Sequence, residues 1–477
     1  MGRARLSQRA ASNGLSGQRR AGTGAPTHLR WRPSLINLRL IMKTSFASLA
    51  LICAAFCASA ENWPQWRGPN FNGSTSEKNL PAKFSKTENV AWSVDLPGPS
   101  AATPVVWNDR VFVSSGDKGA QSLVAMCMDR SNGKVLWKKT VAQSYRRDPK
   151  SNFASPSPAT DGQRVLFFYA TGDLVAYDFE GNKLWSRNIQ KDYGEFAFLW
   201  TFATSPVLYD GKLFIQVLQR DVPVQGHGRE NGPNDSYILG LNATTGNELW
   251  RQLRPSEAVA ESRESFTTPM PYEYRQGRKQ LLVIGGDCLT GHDLETGKEL
   301  WRWNTWNPGK IPHWRLVPST VAGAGVALVC APKGDPIYAI KTDGQGVLQS
   351  SDIVWKSERG GLTSDVPTPA FYDGDFFVLS DVRKNLSRVE PKTGKVKWVC
   401  PMPGRAKFES SPTIGDGKVY AMNFAGEVTV VDANKGEVLL TTPMGESGDD
   451  LIRSAIALSH GQAFIRTNGK LFCVGGK

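Results

Sequence analysis

The stretch DLETGKELW, residues 293–301, decides the fold, because the chain keeps paraphrasing it. DRSNGKVLW ends at Trp137, DFEGNKLW at Trp185, NATTGNELW at Trp250, EPKTGKVKW at Trp398 and DANKGEVLL at Leu440. In each copy a glycine stands four places before the last residue: Gly133, Gly181, Gly246, Gly297, Gly394 and Gly436. Glycine supplies the positive φ of a tight hairpin turn, and the Asp or Asn ahead of it can bond the turn amides. Each phrase therefore reads as a third strand, a turn and a fourth strand carrying tryptophan.

The first half of each unit is equally regular. A small residue, usually followed by proline, opens a short apolar run, a polar turn and a second apolar run. Examples are TPVVWNDRVFVSS (103–115), SPVLYDGKLFIQVL (205–218) and SPTIGDGKVYAMN (411–423). Alternating runs around such turns are hairpin signals. Equivalent stretches begin at residues 157, 268, 319, 368 and 454. A period of roughly 40 to 65 residues with four short strands per unit predicts an all-β, eight-bladed β-propeller. A blade cannot bury both faces alone. A flat ring on its outer strand, burying about 150–250 Å², is the joint to its neighbour. The expected joints are Trp92, Trp137, Trp185, Trp250, Trp301, Trp355 and Trp398.

Closure is also readable. After KLFCVGG the eighth unit lacks an outer strand, while NVAWSVDL (89–96) carries Trp92 and has no blade of its own. The N-terminal strand is expected to complete the last blade, leaving no open seam. Blade five carries the insertion TDGQGVLQSSDIVW before Trp355, and blade seven has Leu440 in place of tryptophan. Both are expected to weaken a joint.

The first sixty residues stand outside the repeat. Residues 1–41 hold eight Arg and no acidic residue, and read as a basic disordered leader, an unused upstream start or an organelle transit peptide. Residues 42–60 read as a signal peptide: Met42 and Lys43, an apolar run, then Ala58-Ser59-Ala60 as the cleavage site. This predicts a periplasmic or secreted protein starting at Glu61, with no lipid anchor and no membrane span after cleavage. Residues 61–88 form an N-terminal extension and 89–477 the propeller. Of the net charge of +13, nine basic residues lie in 1–60, so the remainder is 13 − 9 = +4, and nucleic-acid binding loses its main support. Five cysteines remain, Cys127, Cys288, Cys330, Cys400 and Cys473, without C-x-x-C spacing. Zinc and c-type haem attachment are unsupported. Such cysteines are usually small buried hydrophobes, although one long-range disulfide stays open.

The repeat resembles the tryptophan-docking repeat of pyrroloquinoline-quinone (PQQ) type propellers, which include quinoprotein alcohol and glucose dehydrogenases and the outer-membrane assembly scaffold BamB. The opening WPQWRGP (63–69) looks like the start of secreted bacterial proteins of that kind. The resemblance specifies a fold and leaves function open.

In a propeller the interblade connections share one face with the loops between second and third strands. Just before the inner strands lie Glu264, Arg315, Asp365, Glu409 and Arg453, expected to point to the channel mouth as a ligand or partner face. Long loops add Tyr193, Phe198, Trp200, Trp306, His313 and Trp314, and the insertion 219–236 should cover the same face. The competing reading is that these carboxylates and arginines pair with one another. The histidines are scattered, so no metal site is expected. No G-x-S-x-G elbow is present, and T-G-K is never followed by Ser or Thr as a phosphate loop requires.

These observations predict an exported, monomeric, non-catalytic binding or scaffold module for a protein or glycan partner. The resemblance implies an alternative, a PQQ- and calcium-dependent dehydrogenase of alcohols or sugars, with Asp365 and Glu409 as first suspects. Against it, the chain lacks adjacent cysteines and a haem site, and no calcium-ligand set can be matched residue by residue.

Overall fold

The computed structural model describes residues 61–273, 277–304 and 306–476; the basic leader and the signal peptide lie outside these residues. Eight antiparallel sheets follow one another along the chain. The first blade comprises Val105–Trp107, Arg110–Asp117, Ser122–Asp129 and Val135–Ala142. The eighth comprises Ala457–Ser459, Gln462–Arg466 and Lys470–Gly475, and Val90–Asp95 pairs antiparallel with its last strand, Trp92 opposite Cys473. Second and third strands are buried along almost their whole length, whereas outer strands alternate. Each sheet thus packs face to face with its neighbours, and the outer strand meets solvent on one side.

The repeated phrase works across two blades at once. Trp92 of blade eight lies on Gly133 of blade one, where a Cβ would come within 2.6 Å of the ring. The same seat holds Trp137 on Gly181, Trp185 on Gly246, Trp250 on Gly297, Trp355 on Gly394 and Trp398 on Gly436. Five of these indoles also donate Nε1–H to a carbonyl of the neighbour's turn, as Trp92 does to Arg130 at 2.7 Å and Trp137 to Phe179 at 2.9 Å. Each glycine therefore meets two demands, a positive φ (71° to 85°) and bare space for the preceding blade's indole.

Both irregular joints have structural reasons. Blade eight has no turn between its third and fourth strands, because the fourth comes from the N-terminal end; nothing there offers Leu440 a glycine seat. Leu440 packs into the blade-seven and blade-eight core instead. In blade five the insertion crosses over, so that Gly346–Val347 adds a parallel fifth strand to blade four beside Trp301 and Arg302. Trp301 is fully buried and donates to Gln280 Oε1 of its own blade at 2.7 Å. That joint is rebuilt, where the insertion was expected to weaken it.

Inner strands are joined by a second device, carried by the Ser or Thr that opens each unit. Thr103 N–H donates to Ser157 Oγ, Ser157 to Ser205, Ser205 to Thr268, Thr268 to Ser319, Ser319 to Thr368 and Thr368 to Ser411, at 2.9–3.1 Å. The hydroxyl circuit stops at blade eight, where Ala455 has no oxygen to offer. There Ser454 Oγ donates to Ala102 O instead.

The N-terminal extension forms a plug. Trp63 exchanges two backbone hydrogen bonds with Val106, and Thr160 N–H donates to Pro64 O. Gln65 bonds the backbone of Leu208, Phe371 N–H donates to Asn72 O, and Ile414 lies between Gly73 and Thr75. The fully buried Arg67 donates to Pro369 O at 2.7 Å and Pro412 O at 3.1 Å. The backbone contacts lie along inner strands toward their first-turn ends, and Arg67 reaches back to the prolines that open two of those strands. The segment crosses the channel at the face of the Thr-Gly turns and leaves the loop face open. No helix among the described residues is long and apolar enough to cross a membrane.

Candidate functional site

Above the plug lies a cavity of about 300 Å³ opening to the loop face, with Trp66 of the plug and Trp200 of the blade-two loop in its wall. Hydroxyls of the inner-strand circuit, among them Ser157, Ser205, Thr268, Thr368 and Ser411, form its waist. Its charged lining consists of Lys150, Arg315, Lys333, Lys407 and Arg453 against Asp365, Asp381 and Glu409.

Of the residues singled out from sequence, Arg315, Asp365, Glu409 and Arg453 converge on this cavity. Each has a partner, but only Glu409 and Arg453 pair with one another. Arg453 Nε meets Glu409 Oε2 at 2.8 Å and its guanidinium lies 4.8 Å from the Phe424 ring centre. Arg315 Nη1 meets Glu261 Oε1 at 3.3 Å, and Trp200 Nε1 donates to the same oxygen at 3.3 Å. Glu261, in the short 3₁₀ turn Ala260–Arg263, thereby holds a guanidinium and an indole at the cavity wall.

The remaining three lie elsewhere. Glu264 is fully buried, with its carboxylate held by Arg220 and accepting Leu199 N–H at 3.1 Å. Burial pushes its carboxyl up to about 7 against the pull of Arg220. It ties the 219–236 insertion and the blade-two loop to blade four, out of a ligand's reach. Trp314 packs beside the blade-four and blade-five core, and His313 is exposed outside the cavity lining. Trp306 is buried with Trp303, and Phe198 joins Phe196 and Phe202 in a loop core.

Asp381, Trp66, Lys150, Lys333, Lys407 and Glu261 had no distinguishing mark in the sequence except for Trp66, whose place in WPQWRGP sets it apart from the repeat. Asp381 is buried at the end of a blade-six strand and accepts Asp365 N–H at 2.9 Å. Burial pushes its carboxyl up to about 6, and the Asp365 and Glu409 charges add to the shift. Lys333 sits at the lip with φ 61°, held by its N–H to Asp365 Oδ1 at 2.7 Å. The three lysine ammonium groups have no ion-pair partner among the described residues.

All five cysteines are buried and unbonded, so the disulfide left open by the sequence is not formed. Among the described residues no three His, Cys, Asp or Glu side chains are arranged to hold a metal ion. The cavity carboxylates are occupied by Arg453, by Lys333 N–H and by Asp365 N–H.

An eight-bladed propeller with tryptophan joints, plugged at one face and cupped at the other, defines the class of protein. The family model described as outer membrane protein assembly factor BamB matches residues 74–227, 199–310 and 234–475, and the chain belongs to this family of PQQ-like propellers. No curated protein sequence matches the chain. Among solved structures it is similar to BamB from Moraxella catarrhalis at 13% identity and a TM-score of 0.54, covering 81% of this chain and 96% of that one. It is similar to the quinohemoprotein alcohol dehydrogenase of Comamonas testosteroni at 14% identity and a TM-score of 0.59, covering 87% and 81%. A europium-containing methanol dehydrogenase aligns at 11% identity and a TM-score of 0.58, covering 87% and 98%. At these identities the likeness is one of fold.

Proposed function

We propose that this chain is an exported, non-catalytic binding module that receives its ligand or partner at the loop face. The observation that carries the reading is the state of the cavity's acidic groups. Each already accepts from an arginine or a backbone amide at one oxygen, which makes it less available as a metal ligand or general base. The rest of the wall is suited to holding: two partly exposed indoles, hydroxyls whose O–H groups can still donate, and three lysines without ion-pair partners among the described residues. Export rests on the apolar segment 42–60 with its small-residue cleavage site, and on the relatedness to BamB.

The test is a titration of the purified protein with PQQ and Ca²⁺, read by absorbance and melting temperature, beside a dye-linked assay with alcohols and sugars. The expected result is no calcium-dependent change in melting and no dye reduction. Saturable PQQ binding that raises the melting temperature, together with turnover, would replace this reading with a quinoprotein dehydrogenase.

A further inference from the structure

A second cavity, of about 310 Å³, lies beside the central one between the loops of blades one and two and the 219–236 insertion. Its wall includes Arg146, whose Nη1 lies 2.9 Å from His227 Nε2, and Gln190, Ser144 and Thr171. Each cavity alone sits at the lower end of the range for small-ligand sites, about 300–1,000 Å³. Trp200 and Thr201 are the wall residues that the two cavities share.

We propose that the two cavities act as one bent trough that binds an anionic oligosaccharide, its chain running over Trp200 with one end above Trp66. The inference rests on the binding-module reading and names its ligand class. Three features point the same way. Partly exposed indoles at the channel and at the bend offer flat faces to the C–H faces of pyranose rings, which a peptide backbone does not present. The intervening wall is hydroxyl-rich, suited to sugar hydroxyls. The charges are the third feature. The acidic residues of the central cavity are paired or bonded internally, whereas Lys150, Lys333 and Lys407 rim it without partners. Five basic against three acidic side chains line the cavity, so a ligand meets a net 5 − 3 = +2, which favours carboxylate or sulfate substituents. Asp148 keeps the bend in place, accepting from Thr201 N–H at 2.8 Å and Thr201 Oγ1–H at 2.6 Å.

Uronates and sulfated sugars share this chemistry, and the experiment separates them. Isothermal titration of the purified protein would use tetragalacturonate, a sulfated carrageenan tetrasaccharide, neutral cellotetraose and galacturonate monomer. Saturable binding of one acidic tetrasaccharide, about tenfold or more tighter than cellotetraose and weakened by salt, is expected. Trp200→Ala should weaken it by about tenfold. The double variant Lys333→Ala/Lys407→Ala, which removes two exposed side chains without protein partners, should reduce the salt dependence with unchanged melting. Equal binding of cellotetraose, no binding of either acidic chain, or an unchanged Trp200→Ala affinity would each overturn the ligand class. None of these outcomes touches the binding-module reading, which falls only to quinone-dependent turnover.

Discussion

Gly297 and Gly211 make an instructive pair, because both have φ +72° but only one has a neighbour. A Cβ at Gly211 meets nothing within 4 Å, whereas one at Gly297 would come within 2.4 Å of the Trp250 ring. Gly211→Ala should cost about 1–2 kcal/mol for the left-handed backbone alone. Gly297→Ala should cost about 1–3 kcal/mol more, since the indole cannot withdraw from a packed joint. Urea unfolding of both variants isolates the docking part. Equal losses would mean that the glycine is there for the turn only. Small residues also face the indoles across the strand: Cys127 opposes Trp137, Cys473 opposes Trp92, Gly240 opposes Trp250 and Gly291 opposes Trp301. Two of the buried cysteines are thereby explained as small side chains opposite a large one, in keeping with their thiols being pushed up by burial to about 12.

At the level of elements, the N-terminal segment does what no blade can. It supplies hydrogen bonds to inner strands from several blades, and its Arg67 has only carbonyls for partners within hydrogen-bonding reach. Burial lowers the pKa of that guanidinium to about 9. Arg67→Ala strands the Pro369 and Pro412 carbonyls and should lower stability by at least about 2 kcal/mol. Chemical denaturation checks it, and an unchanged midpoint would show that the plug adds nothing to the ring. The strands, turns and blade order were legible from residue patterns, because alternation and the φ demand of a turn act within a few residues. The plug was legible only as an extension: its partners lie up to 398 residues away, and WPQWRGP carries no periodicity.

For the whole molecule, ring closure is what brings the cavity groups together, and it leaves a signature in pH. Asp381 has its pKa raised by burial from 3.8 to about 6. Between those values the folded state binds the proton that the unfolded state has released, so stability falls as pH rises from about 4 to 6. Asp381→Asn keeps an acceptor for Asp365 N–H and removes the titration. It should flatten that part of the profile and gain about 1–3 kcal/mol at neutral pH. Melting temperatures from pH 4 to 7.5 decide it; parallel profiles would place the cost elsewhere.

Four of the seven loop-face residues named from sequence reach the cavity, because a position just before an inner strand fixes height along the channel. Glu264 occupies such a position too, yet Arg220 from the insertion draws it into the interior. The loop lysines and Asp381 had no comparable signal. By itself the sequence determined the all-β class, the eight units, the tryptophan on seven of the eight outer strands and the glycine of six turns, all short-range consequences of chirality and alternation. Only the tertiary structure decided that each glycine seats the neighbouring blade's tryptophan, that residues 61–80 close one face, and which side chains line the cup. Those facts depend on distances between segments from about 40 to nearly 400 residues apart, and the packing of blades into a ring sets them.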